Sequence, residues 1–179
     1  MNTNVQNKII KKLDKFYKKE KIYLHEPSFI PLDIYHLNKC LKSTMVSTAG
    51  RYVRKFESEI ERFTNSKNAI VVLNGTIGLE ISLKVLDVRQ NEEVILPCLT
   101  FVAPASSVVN IGAIPHFVSI NEKDLGINTS ELENYLTKIC VFKKGRCFNI
   151  KTKRFISAII PVHVFGHACN ISEIIRISK

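Results

Sequence analysis

Three short stretches of this 179-residue chain carry residue types that could bind a ligand. The first begins with an apolar, β-branched run at residues 69–73, which predicts a buried strand. Asn74-Gly75-Thr76 follows directly and opens a predicted helix over residues 76–86. A glycine that lets a ligand approach the backbone, a hydroxyl and the N–H groups of a helix N-terminus together suit a phosphate. The same tripeptide also makes a good turn and helix cap, so both interpretations stay open.

The second stretch is residues 99–105, which follow a predicted strand at residues 93–96. Ligands bind α/β proteins at the carboxyl ends of parallel strands. At that position the ring of Phe101, followed by small residues, could stack on a flat cofactor. Spacing alone favours the alternative that Phe101 is a core residue.

The third stretch is residues 161–169, near the end of a predicted strand at residues 155–164. His163 lies at the same expected binding edge of the sheet, although the sequence assigns it no role. A zinc site made of His163, His167 and Cys169 lacks an evident fourth ligand, so no metal site is predicted.

Strands alternate with helices along the rest of the chain, and this order predicts an α/β fold with a mostly parallel sheet and helices on both faces. Ser130 and Glu133 form a capping-box pair that opens one of the helices. Residues 143–146 form a polar turn. The predicted strands are residues 69–73, 93–96, 114–120 and 155–164, and the predicted helices are residues 1–24, 32–41, 51–63, 76–86, 102–111 and 130–138 and one from residue 171.

The chain has 26 Lys and Arg against 16 Asp and Glu, a formal net charge of +10. Seven of the lysines fall within residues 1–21, where apolar residues recur at helical spacing. This pattern favours a peripheral amphipathic helix with solvated lysines, and a basic nucleic-acid-binding module is the alternative. We therefore expect neither a nucleic-acid partner nor a membrane. The five cysteines show no CxxC pairing and no export signal precedes them, which predicts reduced thiols in the cytoplasm.

The three stretches, in this order and spacing, resemble the pyridoxal-phosphate-dependent sugar-nucleotide aminotransferases, the DegT/DnrJ/StrS family with the type I aminotransferase fold. The resemblance covers residues 22–179. Upstream residues 25–27 and 46–57 resemble the branch acting on UDP-linked 4-keto-6-deoxy amino sugars, as in legionaminic acid or bacillosamine synthesis. The runs that carry the family resemblance are residues 74–79, 92–97, 100–103, 112–118 and 160–167.

The resemblance implies a role for each site residue. Gly75, Thr76 and Ile77 would cradle the phosphate of pyridoxal 5'-phosphate, and Phe101 would stack on its ring. Gly50 would lie near the sugar nucleotide. Members of the family transfer an amino group, usually from glutamate, to a nucleotide-linked keto-sugar, and they work as homodimers.

The resemblance also implies two catalytic groups that this sequence does not contain. In the family, an acidic residue on the strand after the helix at residue 171 pairs with the pyridinium nitrogen, and a lysine further on forms the Schiff base. We therefore expect residues 1–24 to form a basic helix and residues 25–179 to form an incomplete large domain that is inactive alone. A non-catalytic half of a split enzyme is a further alternative.

Overall fold

A computed structural model describes residues 3–17 and 26–179 of the chain. The chain folds as two compact units, residues 1–71 and 72–179. The regular elements in the described part of the first unit are helices, and the second unit contains a sheet with helices around it. Among the described residues, no helix combines the length and the apolar character needed to cross a membrane.

The first unit contains three helices, α1 (Thr3–Tyr17), α2 (Pro31–Lys42) and α3 (Arg51–Thr64). Residues 3–17 of the predicted basic helix form α1, which buries no residue, and residues 1–2 and 18–24 of that prediction lie outside the described residues. Pro31 opens α2, where its fixed φ and missing N–H cost nothing. Asn65 ends α3 in the left-handed conformation at φ 54°, at the position the sequence predicts.

The loop between α2 and α3 depends on Gly50. This residue is buried at the N-cap of α3, and its N–H donates to Ser47 O at 2.9 Å. A Cβ at position 50 would lie 2.6 Å from Met45 O and 3.1 Å from Ser47 O. Glycine is therefore required here because the loop backbone approaches too closely for any side chain.

The predicted buried strand at residues 69–73 is wrong. The segment forms no strand, and Ile70 and Leu73 are 83% and 88% exposed. A strand needs a neighbouring strand for its backbone groups, and no described strand pairs with this segment. Instead α3 supplies acceptors, since Glu61 Oε1 accepts from Ala69 N at 2.9 Å and Glu57 Oε1 accepts from Val71 N at 3.1 Å.

The second unit is an α/β domain built on one five-stranded sheet of order β2-β1-β5-β4-β3. Strand β1 pairs in parallel with β2 and β5, while β3 and β4 form an antiparallel hairpin beside β5. The elements are α4 (Gly75–Val85), β1 (Glu93–Pro97), α5 (Val102–Asn110), β2 (Ile114–Val118), α6 (Thr129–Ile139), β3 (Cys140–Lys143), β4 (Arg146–Asn149), β5 (Arg154–Ile159) and α7 (Ile171–Ser178).

Helices cover both faces of this sheet, as predicted, because β1 is apolar on both sides. Val94 and Leu96 pack into one cluster with residues of α4 and α5. Ile95 faces the opposite way and packs with Leu132 of α6 and Ile174 of α7. Every residue of β1 is buried, as expected for an interior strand of the sheet that is covered on both faces.

Three details of this domain differ from the sequence predictions. The sheet is mixed, because the predicted turn at residues 143–146 joins two strands that were not predicted. Strand β5 ends at Ile159, and Val164 belongs to a short 3-10 turn. The cap of α6 is Asn128, whose side chain accepts from Glu131 N, so the predicted Ser130–Glu133 capping box is wrong. Glu133 instead forms an ion pair with Arg176 of α7.

The amino end of β1 carries two consecutive buried carboxylates, Glu92 and Glu93. Glu92 Oε1 accepts from Arg146 Nη2 at 2.7 Å, and Glu92 Oε2 accepts from Ser157 Oγ at 2.6 Å and Arg89 N at 3.0 Å. Burial raises the pKa of Glu92, but these hydrogen bonds outweigh burial and hold the pKa below its ordinary value. Glu92 thereby ties β1 to β4 and β5.

Glu93 joins a different set of elements. Its Oε2 accepts from Asn149 Nδ2 of β4 at 3.0 Å and lies 2.8 Å from His116 Nδ1 of β2. Because a carboxylate can only accept, Nδ1 is the donor, and His116 Nε2 lies 3.0 Å from the hydroxyl of Tyr135 on α6. Burial raises the pKa of Glu93. Hydrogen bonds from Thr152, His116 and Asn149 lower the pKa by more than burial raises it, so the pKa lies below its ordinary value.

Replacing Glu93 with glutamine is predicted to destabilise the domain by about 1–3 kcal/mol at pH 7, because the amide turns an N–H₂ group toward donors that need an acceptor. The measurement is the free energy of unfolding from urea denaturation. Glu122→Gln is the matched control, since Glu122 is exposed and has no hydrogen bond or ion pair among the described residues. Equal stability of the two variants would show that the Glu93 contacts contribute nothing.

The lowered pKa of Glu93 also predicts a pH dependence. Its ordinary value is 4.5 and the folded value is lower, so its contribution is fully present above the ordinary value and is lost as pH falls through the folded pKa. The free energy of unfolding should therefore decrease as pH falls below about 5. In Glu93→Gln the free energy of unfolding should fall less steeply with decreasing pH. The decrease that remains should come from Glu92, whose pKa is also lowered. Superimposable pH profiles of the two proteins would contradict the prediction.

Gly50→Ala is predicted to destabilise the α2–α3 connection, because the new Cβ would overlap Met45 O. Amide hydrogen exchange of residues 45–53 should speed up by at least about tenfold. Gly75→Ala serves as the control, since a Cβ at Gly75 would meet no atom within 4 Å. Unchanged exchange in Gly50→Ala would show that the loop adjusts without cost.

Candidate functional site

The candidate site lies at one edge of the sheet in the second unit. Because β1, β2 and β5 are parallel, their carboxyl ends meet at the same edge. Residues 98–101 follow β1 there, and residues 160–163 follow β5. Two backbone bonds hold the edge, one from Cys98 N to Val118 O at 3.0 Å and one from Ile160 N to Ile95 O at 2.8 Å.

The N-terminus of α4 leaves several hydrogen-bond donors unused among the described residues. Asn74 has an extended backbone, and its Oδ1 accepts from Ile77 N at 3.0 Å. The N–H groups of Gly75 and Thr76 and the Thr76 hydroxyl have no hydrogen-bond partner among the described residues. These groups, together with the positive end of the helix dipole, can hold a phosphate. The N–H of Ile77 is already used by the cap.

The two interpretations of Asn-Gly-Thr are compatible: the helix cap is observed, and the phosphate-binding role stays a prediction. Asn74 is the helix cap, and it leaves Gly75 and Thr76 available to a ligand. Gly75 is exposed and a Cβ there would touch nothing, so packing does not require the glycine. A residue that packing does not explain is consistent with close approach of a ligand to the backbone.

Helix α4 is held firmly on the sheet. Leu79 and Leu83 of α4 pack into the cluster that contains Val94 of β1 and Val108 of α5. The side chains of Glu80 and Asn110 link α4 and α5 at 2.6 Å. Apolar packing of Leu79 and Leu83 and the contact of Glu80 with Asn110 thereby hold α4 in position.

Phe101 is not a core residue, although spacing favoured that alternative. It occupies the N-cap position of α5 in an extended conformation, and it is 69% exposed. An exposed ring immediately after the carboxyl end of a buried strand is available to stack on a ligand. The ring is therefore accessible to a ligand, and its role in stacking on the cofactor stays a prediction.

The neighbour of Phe101 is a residue that sequence reasoning missed. The hydroxyl oxygen of Thr100 is shielded from solvent and has no hydrogen-bond partner among the described residues. A buried polar atom without a partner costs about 1–3 kcal/mol, so such atoms cluster where a ligand completes them. A threonine between two apolar residues at a strand end was the available sequence indication.

His163 lies at the same edge, where its ring is oriented by the backbone. Cys169 N donates to His163 Nδ1 at 3.2 Å. Cys169 is buried, and burial raises the pKa of its thiol. Within the described ranges, no three His, Cys, Asp or Glu side chains are grouped closely enough to hold a metal ion, the His163, His167 and Cys169 set included.

Gly50 belongs to the first unit, and its loop geometry already accounts for the glycine. Its role near a sugar nucleotide stays a prediction. The loops at residues 98–101 and 160–163 contain no lysine. The site residues that the structure does describe can therefore hold a phosphate and face a planar ring, and they include no amine nucleophile.

Comparison with known proteins identifies the chain's relatives. The model of the DegT/DnrJ/EryC1/StrS aminotransferase family matches residues 30–179. The GDP-perosamine synthase of Vibrio cholerae is 33% identical over 153 residues, which are 86% of this chain and 37% of that protein. The GDP-perosamine synthase of Escherichia coli O157:H7 is 31% identical and is matched over 88% of this chain and 39% of its own length.

Solved structures agree with the fold. An aminotransferase from Psychrobacter cryohalolentis superposes with a TM-score of 0.70 at 30% identity, covering 87% of this chain and 36% of that one. The pyridoxal-phosphate form of the sugar aminotransferase Spr1654 from Streptococcus pneumoniae gives a TM-score of 0.69 at 23% identity, over 87% and 36% of the two chains. The type I fold implied by the resemblance is confirmed.

The chain spans less than two fifths of the length of the curated relatives it matches. These two relatives are named for a GDP-linked sugar, whereas the resemblance pointed to a branch acting on UDP-linked sugars. With the family model matching 150 of its 179 residues, this chain belongs to the DegT/DnrJ/EryC1/StrS aminotransferase family.

Proposed function

We propose that this chain supplies the phosphate-binding and ring-binding parts of a pyridoxal-phosphate-dependent aminotransferase that acts on a nucleotide-linked keto-sugar. The observation that carries the proposal is the uncommitted N-terminus of α4, with unpaired N–H groups at Gly75 and Thr76 among the described residues, in the same α/β unit as the exposed ring of Phe101. Membership of the family supplies the reaction class.

The residues present fit the cofactor. Gly75 N–H, Thr76 N–H and the Thr76 hydroxyl would donate to the phosphate, and Phe101 would cover one face of the ring. The shielded hydroxyl of Thr100, which has no partner among the described residues, is consistent with a polar ligand atom nearby. When bound, pyridoxal phosphate supplies the electron-withdrawing ring that makes amino transfer possible.

The names of the relatives support the nucleotide-linked sugar, and the family resemblance suggests the amino donor and the assembly. We propose an amino acceptor that is a keto-sugar on a nucleoside diphosphate, with glutamate as the amino donor and a homodimer as the working form. The GDP-perosamine synthases favour a GDP-linked sugar over the UDP-linked sugars of the resemblance. A relative from Acidithiobacillus ferrooxidans, 27% identical, is named for a UDP-linked sugar, so both nucleotides belong in the test.

The 179 residues are proposed to bind the cofactor without catalysing transamination. The residues at the sheet edge would hold and orient a phosphate and a ring, and none of them is a lysine. Binding should therefore be measurable in this chain even where turnover is not.

The test uses pyridoxamine 5'-phosphate, because its amine cannot react with the chain's many lysines as an aldehyde would. Its intrinsic fluorescence should report binding to the full chain, while pyridoxamine without phosphate should bind at least about tenfold more weakly. Thr76→Val should weaken binding about tenfold. Phe101→Ala should weaken it about fivefold through lost ring contact.

Matched controls separate these effects from general damage. Thr137→Val removes a hydroxyl from another helix, where it donates to Glu133 O. Phe142→Ala removes a ring that is 81% exposed on the hairpin. Both should bind pyridoxamine 5'-phosphate as the unmodified chain does. Equal binding of pyridoxamine and its phosphate, or equal effects of test and control variants, would refute the proposed site.

A further inference from the structure

Helix α1 has an apolar face that the cofactor-binding role does not use. At about 100° of rotation per residue, its apolar and aromatic residues fall within an arc of about 140°. Gln6 is the only polar residue of the helix in that arc. None of the apolar side chains is buried, and their exposed fractions run from 44% to 79%. They are Val5, Ile9, Ile10, Leu13, Phe16 and Tyr17.

The lysines of α1 occupy the opposite side of the helix. Lys8, Lys11, Lys12 and Lys15 lie within an arc of about 100°. Asp14 lies outside this arc and is the only acidic residue of the helix. The ion pairs of the described residues involve none of these four lysines. The positive charge of α1 is therefore uncompensated within the described part of the chain.

A helix of this kind needs a partner for its apolar face. Most helical stability in proteins comes from packing an amphipathic face, because helix propensity alone is marginal in water for short helices. The family model begins at residue 30, downstream of α1, so the elements shared with the family do not include this helix. The sequence favours a peripheral helix with solvated lysines. Solvation accounts for the lysines but leaves the exposed apolar side chains unexplained.

We propose that α1 binds an anionic lipid surface. The helix would lie in the plane of the interface, with its apolar side chains at the acyl boundary and its lysines among the headgroups. This contact differs from a membrane span, for which the 15 residues of α1 are too few. For α1 it replaces the expectation that the chain has no membrane partner, because the structure leaves the apolar face uncovered.

A lipid surface is favoured because it satisfies both faces of α1 at once. Nucleic acid would neutralise the lysines and leave the apolar face in water. A second copy of α1 would cover the apolar face but would bring two sets of four lysines together, which repel. Binding to lipid does not depend on the proposed aminotransferase role, since α1 contributes no residue to the cofactor site.

The experiment is flotation of the full chain with lipid vesicles on a density gradient, in which aggregated protein sinks and bound protein rises. Vesicles of equal parts phosphatidylcholine and phosphatidylglycerol should bind the chain at least about tenfold more tightly than phosphatidylcholine alone. Binding to the anionic vesicles should weaken as salt is raised. Equal binding to the two kinds of vesicle would overturn the proposal.

Single variants test the two faces of α1. Lys8→Gln and Lys15→Gln should each weaken binding about fivefold, which corresponds to about 1 kcal/mol for a lysine near an anionic surface. Ile9→Gln should weaken binding at least about tenfold, because it places an amide in the apolar face. Lys144→Gln and Ile70→Gln make the same changes at exposed positions outside α1. These two controls should bind within about twofold of the unmodified chain.

A tryptophan probe tests the orientation of α1. The chain contains no tryptophan, so Leu13→Trp places a single fluorophore on the apolar face. Its emission should shift to shorter wavelength on the anionic vesicles, and lipids brominated in the acyl chain should quench it. Asn7→Trp places the same probe on the polar face and should show neither effect. Equal shifts and equal quenching for the two probes would contradict the proposed orientation.

The outcomes separate lipid binding from the other partners and from the cofactor site. Equal losses in the α1 variants and the two controls would mean attraction to overall positive charge, and would overturn the proposal. Tighter binding to duplex DNA than to vesicles, unaffected by Ile9→Gln, would also overturn it. So would a dimer that Ile9→Gln dissociates in the absence of vesicle binding. Loss of vesicle binding in Ile9→Gln, with the free energy of unfolding and pyridoxamine 5'-phosphate binding unchanged, would support it.

Discussion

Two adjacent carboxylates, buried at the amino end of the interior strand β1, constrain how the strands of the sheet can be arranged. A buried carboxylate is tolerated only when donors surround it, and consecutive strand residues face opposite ways. Glu92 must therefore find its donors on one side and Glu93 on the other. Arg146 and Ser157 satisfy the first, and His116 and Asn149 satisfy the second. These donors come from β2, β4 and β5, so neutralising two charges aligns four strands.

That alignment fixes the opposite edge of the sheet, where Thr100, Phe101 and His163 lie. Strand β1 is anchored by polar contacts at its amino end and by apolar contacts on both faces along its length. The positions of Thr100 and Phe101, which follow the carboxyl end of β1, are then fixed relative to α4. Apolar packing of Leu79 and Leu83 does the same for the N–H groups at the start of α4. The packed sheet thus supports the proposed site, which consists mostly of backbone groups.

How far the sequence predicts this structure depends on the range of the interactions involved. Local rules correctly place the start of α4, because the cap at Asn74 acts within one helical turn. They fail for residues 69–73, since β-branched composition says nothing about whether a partner strand is present. They also fail for Glu92 and Glu93, which look like surface residues until donors far along the chain, His116 at 23 positions among them, are brought to them. The exposure of Phe101 was unpredictable for the same reason, because it depends on what packs beyond the strand end.

The glutamates of α3 that accept from residues 69 and 71 have an effect beyond their own hydrogen bonds. Glu57 and Glu61 bond alternate N–H groups along one side of an extended, apolar segment. An extended segment with free N–H groups can pair with any other exposed strand, including one from another copy of the chain. Glu57 and Glu61 occupy two of these N–H groups and place two carboxylates along that side of the segment. The hydrogen bonds from α3 therefore leave fewer N–H groups of this segment free to pair with a strand from another copy of the chain.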